Sequence, residues 1–271
     1  MKSAGFSKEE METMHTQNTE EPEGINPVRM DGGKLECKFK FDYNKPLVRQ
    51  LFNADISFEE YCTWINEPKH VINPVRDIVL FSNPFMENYL AKTPWWVVPI
   101  AWIPVATYNF MVNDLPLLET LSVTFLGLFA WTFMEYMLHR FVFHAEDHFY
   151  MPFNRYILVF HFLTHGIHHC FPMDRFRLVF PPVNSWILYL FVFQPLYASV
   201  FPAEWVPCTQ AGTLIGYIIY DLGHYYVHHG TPKSGYYRAL KTYHMQHHYK
   251  NGKAGFGVSN KFWDIVFRTE L

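Results

Sequence analysis

The sequence predicts an all-α integral membrane protein, with four transmembrane helices in two hairpins and a cytosolic helical cap that holds a histidine-rich site for two metal ions. Three observations lead to this fold class. The 271-residue chain contains four apolar segments that reach or approach membrane-spanning length. No Lys or Arg interrupts either pair of segments. Thirteen of the 15 histidines fall in the windows 139–169 and 224–248, and each window begins where an apolar stretch ends.

Length and composition define the four apolar segments. They run from Trp95 to Val112, from Leu115 to Leu138, from Val183 to Phe201 and from about Thr209 to Leu222. A span needs about 20 apolar residues, so the first two qualify with slight tilt or with interfacial anchoring by Trp95 and Trp96. The last segment is short, and we expect its helix to continue through Asp221 and His224 from lipid into water. The links 113–116 and 202–207 are the predicted luminal turns.

Charge placement favours membrane spans over buried core helices. No basic residue stands between Lys92 and Arg140 or between Arg177 and Lys233, so all 22 Lys and Arg lie outside the hairpins. By the positive-inside rule, both termini and the histidine windows are then cytosolic, and an even number of spans gives the same orientation. The alternative is a soluble helical protein, which the mean hydropathy of -0.07 and two glutamates within the second segment favour.

The chain before the first span divides into two parts. Residues 1–36 are polar and poor in aromatic residues, with an acidic run from Glu9 to Glu23, which predicts a flexible tail and neither a signal peptide nor a mitochondrial presequence. Residues 37–92 mix proline, aromatic and charged residues, and we expect them to lie along the membrane face and pack against the histidine region.

Asp174 and Arg177 follow the first histidine window. We interpret them as solvated residues rather than as contacts to a lipid headgroup.

The spacing of the histidines favours a metal site. Two triplets have the offsets i, i+3 and i+4, which place three side chains on one helical face. The triplets are His165, His168 and His169, and His244, His247 and His248. His224 and His228 form an i, i+4 pair. His139 and His144 are five residues apart and diverge on an ideal helix, so this pair requires a helix end or a local distortion.

Ten imidazoles at these positions imply two metal ions. Sites made of nitrogen ligands alone suit zinc, copper, iron or nickel. A structural zinc site is satisfied by four ligands and usually recruits cysteine, whereas the four cysteines here are scattered. A bis-histidine haem needs isolated histidines on facing helices, so the adjacent pairs and triplets of this chain argue against a haem site. The predicted ligands are His139, His144, His165, His168, His169, His224, His228, His244, His247 and His248.

Five further residues are predicted to support the ligands through hydrogen bonds instead of binding metal themselves. They are Glu135, His148, His161, Asp221 and His229. Asp221 lies one turn before His224, so it is either a partner of that imidazole or a marker of the membrane exit. Glu135 lies four residues before His139 and is equally compatible with a charge at the interface.

Two metal ions beside lipid-embedded helices favour chemistry on an acyl chain or a sterol drawn out of the bilayer. Breaking an unactivated C–H bond needs an oxidant. A reduced pair of iron ions can bind and split dioxygen, whereas zinc is redox-silent. Iron is therefore the metal expected for activity.

Four runs of sequence resemble the histidine boxes of the membrane-bound fatty acid hydroxylase superfamily, and more narrowly those of the fatty acid 2-hydroxylases. The runs are WTFMEYMLHRFVFH, HFLTHGIHH, YDLGHYYVHH and LKTYHMQHHY. Similarity upstream comes from DYNKPL, WINEP, ENYLAKTPWW and VPIAWIP, so the resemblance covers roughly residues 41–271. It implies the same ten histidines as ligands, a hydroxylase domain over residues 93–271, and iron as the active metal, with zinc possible in an isolated sample.

The reaction implied by the resemblance inserts one oxygen atom from dioxygen at C2 of a long or very long acyl chain of ceramides and other sphingolipids. Two electrons would come from NADPH through a reductase and cytochrome b5, at the endoplasmic reticulum membrane. Family members often carry a cytochrome b5 domain at the N-terminus, whereas residues 1–36 contain no HPGG haem motif and are too short for one. We therefore expect a separate cytochrome b5.

Two alternatives stay open at this point. A sterol C4-methyl oxidase or sterol C5-desaturase of the same superfamily would share the metal chemistry and differ in the substrate pocket. A catalytically silent membrane subunit of a larger complex would keep the fold, and the complete set of ten histidines argues against it.

The net charge of -3 gives no basic footprint for nucleic acid, so the sequence does not predict a nucleic-acid partner.

Overall fold

The computed structural model describes residues 40–69, 78–148, 151–233 and 235–271, and every regular element in these ranges is a helix. The predicted tail of residues 1–36 lies outside them. The α-helices are α1 Leu47–Asn53, α2 Phe58–Ile65, α3 Pro84–Met86, α4 Val97–Met111, α5 Leu117–Leu138, α6 Arg155–His161, α7 Ile167–Cys170, α8 Pro182–Leu188, α9 Gln194–Val200, α10 Val206–His229, α11 Gly235–Tyr249 and α12 Phe262–Phe267. Four π-helical turns are π1 Glu87–Ala91, π2 His139–Phe143, π3 Phe162–Gly166 and π4 Tyr189–Phe193.

Two of these helical runs are long and apolar enough to cross a membrane. They are Leu117–Phe143, which joins α5 to π2, and Pro182–Val200, which joins α8, π4 and α9; they contain 27 and 19 residues. Only 22% and 11% of their apolar windows are buried, so these runs do not form the core of a soluble protein. Their exposed apolar side chains include Phe125 and Phe191. The chain is therefore a membrane protein, and the two-hairpin arrangement of four spans stays a prediction.

The helix α10 lies at the centre of the apolar bundle. It packs against α4 and α5 along most of its length and continues through Asp221 and His224 to His229, as the sequence predicts. Most of its residues between Cys208 and Tyr217 are buried. The predicted segment 209–222 is thus an enclosed helix, unlike the outward-facing runs on either side of it.

Glycines bring α5 and α10 unusually close together. A Cβ atom at Gly212 would lie 1.9 Å from the backbone carbonyl oxygen of Thr124, and a Cβ atom at Gly127 would lie 2.1 Å from that of Thr209. Glycine pairs of this kind allow two helix backbones to touch, which is a common way for helices to associate in lipid. This crossing sets the distance between the ends of α5 and α10, where several of the histidines lie.

Two apolar cores flank the histidines. The first joins α1 and α2 to α6, π3 and α7, and includes Trp64 stacked against Phe41 with ring centroids 4.0 Å apart. The second lies within the bundle, where Trp102 stacks against Trp186 at 4.8 Å. Residues 41–65 and 78–91 therefore contribute to a core shared with the histidine-bearing helices, while their position along a membrane face stays a prediction.

Arg177 is buried, and its interpretation as a solvated residue is wrong. Its guanidinium donates to Glu87 Oε1 at 2.8 Å, to the Ile78 carbonyl oxygen at 2.6 Å and to Asp174. Glu87 in turn accepts from the amides of Leu80 and Phe81. This ion-pair network ties the segment before α4 to the loop after α7, and it satisfies a charge that burial would otherwise make costly.

Candidate metal centre

All ten predicted ligand histidines are buried, and the structure brings them together in two groups of five. Group A consists of His139, His144, His165, His169 and His247. Group B consists of His168, His224, His228, His244 and His248. Within each group, the ligand atoms all lie within 4.8 Å of one another. His139 directly follows the C-terminal end of α5, and His224 and His228 lie near the C-terminal end of α10. The two histidine groups therefore adjoin one end of the apolar bundle.

The Nε2 atoms of each group converge. In group B, His244 Nε2 lies 3.0 Å from that of His224, 2.9 Å from that of His228 and 3.1 Å from that of His248. In group A, His247 Nε2 lies 3.1 Å from that of His144. Ligand atoms at right angles around a metal with bonds of about 2.1 Å are separated by about 3 Å. The spacing therefore fits ligands around one ion in each group.

The protonation state of the imidazoles also fits metal binding. Burial lowers the pKa of His165, His168 and His169 well below the ordinary value, and neighbouring imidazoles add to this shift. Burial likewise lowers the pKa of His247 to about 3. The rings are therefore neutral at physiological pH, which is the form that binds metal. Since a neutral ring carries one proton, five converging Nε2 atoms cannot satisfy one another, whereas a cation satisfies them all.

Each histidine triplet is divided between the two groups. His165 and His169 belong to group A while His168 belongs to group B, and in α11 His244 and His248 belong to group B while His247 belongs to group A. Side chains at i and i+4 are about 40° apart around a helix, whereas the one at i+3 lies about 60° on the other side of i. One triplet can therefore contribute ligands to two neighbouring metal sites.

The pair His139 and His144 is brought together by a distortion of the helix. Here α5 passes into the turn π2, and the His144 amide donates to the His139 carbonyl oxygen at 3.1 Å, five residues back. The wider turn places side chains at i and i+5 on one face, so both imidazoles join group A. The expected local distortion is confirmed.

A loop after α11 supports group A from behind. His139 Nδ1 lies 2.5 Å from the Phe256 carbonyl oxygen, and His247 Nδ1 lies 2.8 Å from that of Ala254. Glu135 accepts from the Val258 and Ser259 amides, and Asp264 accepts from the amides of Phe256 and Gly257. Two buried carboxylates thus hold the loop whose carbonyl groups orient two ligand imidazoles.

Of the predicted supporting residues, Glu135 and Asp221 act on the ligands through backbone segments, whereas His148 and His229 lie outside both histidine groups. Glu135 acts through the loop just described. Asp221 accepts from the Phe180 amide at 3.2 Å, while His224 Nδ1 lies 2.8 Å from the Leu178 carbonyl oxygen, so Asp221 supports the segment that contacts His224. His148 Nε2 lies 3.0 Å from the Arg140 carbonyl oxygen, and the His148 ring stacks on Phe141, while His229 packs against Tyr225 with the two rings tilted by 35°. Neither of these two histidines belongs to group A or group B.

Glu146 and Tyr61 are residues of the site that sequence reasoning missed. Glu146 lies in the short helical turn after His144, with Oε1 3.2 Å from His144 Nδ1 and Oε2 2.7 Å from His161 Nε2. Tyr61 is fully buried, and its hydroxyl lies 2.8 Å from His161 Nδ1. Burial alone would raise the pKa of Glu146, but the two histidines lower it overall. The position of Glu146, two residues after His144, could have marked it as a partner of that histidine. No pattern in the sequence connects Tyr61 with the site.

Replacing Glu135 tests the role of the loop. Glu135→Ala should lower the metal content of the purified protein, because the Val258 and Ser259 amides lose their acceptor and the loop no longer orients His139. Loss of such an outer partner typically costs about 10–100-fold in metal affinity. The measurement is bound metal per chain after dialysis. Glu119→Ala is the matched control, since Glu119 accepts from the Trp205 indole at 3.0 Å, away from the histidines on the same helix. Equal metal loss in both variants would contradict the prediction.

The fold and the site together define a helical membrane protein with a histidine-rich centre that can hold metal ions. A family model described as fatty acid hydroxylase matches residues 124–269. The chain is 43% identical over 241 residues to the ceramide very long chain fatty acid hydroxylase SCS7 of Saccharomyces cerevisiae. The match covers 86% of this chain and 60% of the yeast protein. It is 37% identical over 235 residues to the dihydroceramide fatty acyl 2-hydroxylase FAH2 of Arabidopsis thaliana, which covers 86% and 94% of the two chains.

A solved structure described as full-length scs7p, with only the hydroxylase domain visible, matches with a TM-score of 0.79 and 40% identity, over 85% of each chain. The chain belongs to the fatty acid hydroxylase family. This confirms the resemblance drawn from the histidine boxes. The chain spans 60% of the length of the yeast relative.

Proposed function

We propose that this protein is a fatty acid 2-hydroxylase that acts on long or very long acyl chains of ceramides and related sphingolipids. The observation that carries the proposal is the pair of buried five-histidine groups at one end of an apolar helical bundle. Its relatives, named as a ceramide fatty acid hydroxylase and a dihydroceramide fatty acyl 2-hydroxylase, support the choice of an acyl substrate.

The ten histidines of groups A and B are proposed to bind two metal ions, with iron as the active metal and zinc as a possible substitute in isolated protein. Bound iron supplies the capacity to activate dioxygen for C–H bond cleavage. The overall reaction consumes dioxygen, two electrons and two protons, and yields one hydroxyl group at C2 and one water. No other catalytic residue is proposed.

The residues of this chain hold the ligands and exclude water. All ten imidazoles are at most 6% exposed, so bulk water is kept from the centre. Excluding water protects a reactive centre from side reactions. The adjoining apolar runs Leu117–Phe143 and Pro182–Val200 offer a route by which an acyl chain approaches from the bilayer.

The two electrons are proposed to come from a separate cytochrome b5 and its NADPH-dependent reductase. The site of action is proposed to be the endoplasmic reticulum membrane, with four spans and with the termini and both histidine groups on the cytosolic side. The absence of basic residues between Lys92 and Arg140 and between Arg177 and Lys233 supports this orientation.

The proposal is tested by expressing the chain in a host that lacks its own 2-hydroxylase. We expect 2-hydroxy fatty acids to appear in total sphingolipids, measured by mass spectrometry, and to be absent with His168→Ala. The matched control is His229→Ala, which should keep the activity because His229 lies outside both histidine groups.

Other outcomes of this experiment identify the alternatives. A change in the sterol profile without 2-hydroxylated product would favour a sterol oxidase or desaturase of the same superfamily. Folded protein that changes neither lipid class, with cytochrome b5 supplied, would favour a catalytically silent subunit of a membrane complex. Either result would overturn the proposed 2-hydroxylase.

A further inference from the structure

The two histidine groups differ in what lies behind their imidazoles. In group A, Nδ1 of His139, His144 and His247 each has a hydrogen-bond partner, and the partner of His144 is the carboxylate of Glu146. In group B, His224 Nδ1 meets the Leu178 carbonyl oxygen. The other four Nδ1 atoms of group B are buried and have no hydrogen-bond partner among the described residues; they belong to His168, His228, His244 and His248.

The carboxylate behind group A is in close contact with His161, whose Nε2 also lies 2.9 Å from the Phe143 carbonyl oxygen and whose Nδ1 is hydrogen-bonded to Tyr61. Glu146 is 7% exposed and lies between His144 and His161, and His161 lies between Glu146 and the Tyr61 hydroxyl. Tyr61 comes from α2, about a hundred residues earlier in the chain than His161. The capping box of Ser57 and Glu60 at the start of α2 fixes the helix that carries it.

A carboxylate behind an imidazole strengthens that imidazole as a ligand. When Nδ1–H donates to a carboxylate, the tautomer with a free Nε2 is fixed and Nε2 becomes more basic. A carbonyl oxygen fixes the tautomer but carries no charge. An imidazole whose Nδ1 has no partner gains neither effect. Among the described residues, only group A has a charged hydrogen-bond partner at an imidazole Nδ1. Group A also has three imidazoles oriented by an Nδ1 hydrogen bond, whereas group B has one.

We propose that group A is the higher-affinity metal site, and that Glu146, positioned by His161 and Tyr61, sets the difference between the two groups. The inference rests on the proposed function, in which both groups bind metal. Metal enters group A first and leaves it last. A protein that has lost half of its metal holds the remaining ion in group A, and the expected difference in affinity is about 10–100-fold.

The test uses the full chain purified in detergent and loaded with zinc, which is redox-silent. Graded concentrations of a chelator are applied, and bound zinc per chain is measured by mass spectrometry of the metal. We expect two separate release steps, with midpoints about 10–100-fold apart in chelator concentration. A single step that releases both ions together would contradict the proposal.

Single-ion variants assign the steps to the groups. His228→Ala removes a ligand from group B, and His165→Ala removes one from group A. Each variant should hold one zinc ion, and the ion in His228→Ala should resist the chelator better than the ion in His165→Ala. The opposite order would overturn the proposal.

Adding Glu146→Gln to these two variants isolates the carboxylate. On the His228→Ala background it should lower the chelator midpoint by about 10–100-fold, and on the His165→Ala background it should change nothing. Tyr61→Phe keeps the ring and removes the hydroxyl, so on the His228→Ala background it should act in the same direction with a smaller effect. Glu59→Gln is the control on α2, because Glu59 is exposed and lies outside the capping box, and it should leave both midpoints unchanged.

The outcomes separate this inference from the proposed function. Equal weakening on both backgrounds would show that Glu146 supports the fold in general, and it would overturn the inference alone. Two ions of equal resistance in the unmodified protein would do the same. A chain that binds no zinc at all would contradict the proposed function as well as the inference.

Discussion

His244→Ala is expected to abolish 2-hydroxylation and to leave one bound metal ion per chain. His244 Nε2 lies within 3.1 Å of the Nε2 atoms of three other group B imidazoles, so its removal takes away a ligand at the centre of that group. Loss of an outer hydrogen-bond partner costs about 10–100-fold in activity or metal affinity, so loss of a ligand should lower the activity by more than about 100-fold.

The measurement for His244→Ala is 2-hydroxylated product together with bound metal per chain. His229→Ala is the matched control, because His229 packs against Tyr225 outside both groups. It should keep two metal ions and the activity. A His244→Ala protein with two bound ions and unchanged product would show that His244 is not a ligand.

Gly212→Ala is expected to destabilise the whole helical bundle. The added Cβ would lie 1.9 Å from the Thr124 carbonyl oxygen and 2.7 Å from the Leu128 amide nitrogen. Both neighbours are backbone atoms, so α5 and α10 must separate. Overpacking typically costs about 1–3 kcal/mol, and we expect the upper end of this range because neither backbone can move aside alone. For a chain of this size, we expect Tm to fall on the order of 10 °C.

The measurement for Gly212→Ala is thermal unfolding of the detergent-purified protein. Gly223→Ala on the same helix is the matched control, since nothing lies within 4 Å of a Cβ atom at Gly223. There the gain in helix propensity should stabilise the protein by up to about 1 kcal/mol. Similar Tm values for the two variants would contradict the close crossing of α5 and α10.

The set of ten clustered histidines was predictable from local sequence, because helical periodicity relates residues only a few positions apart. The distortion between His139 and His144 was predictable for the same reason, and the turn π2 confirms it. The division into groups A and B was not predictable. An i, i+3, i+4 triplet spans about 100° of the helix surface, so the packing of neighbouring helices decides which of the two groups each side chain joins.

Long-range contacts account for what the sequence did not reveal about the site. Glu146 is close to His144 in sequence, but its partner His161 follows fifteen residues later and Tyr61 lies on a separate helix. Glu135 meets Ser259 across more than a hundred residues. Arg177 was interpreted as solvated because its partner Glu87 precedes it by 90 residues. Such pairs depend on the tertiary fold and leave no spacing pattern.

The sequence by itself determined the helical class, the apolar runs, the candidate ligands and the resemblance to the fatty acid hydroxylases, since each is a property of residue order and local periodicity. The tertiary structure decided that α10 packs against α4 and α5, that the ten imidazoles divide into two groups of five, and that Glu146 bridges His144 of group A and His161. The physical reason is that these features depend on how close the helix backbones come. Gly127 and Gly212 permit that approach, but only the folded chain shows which backbones they face.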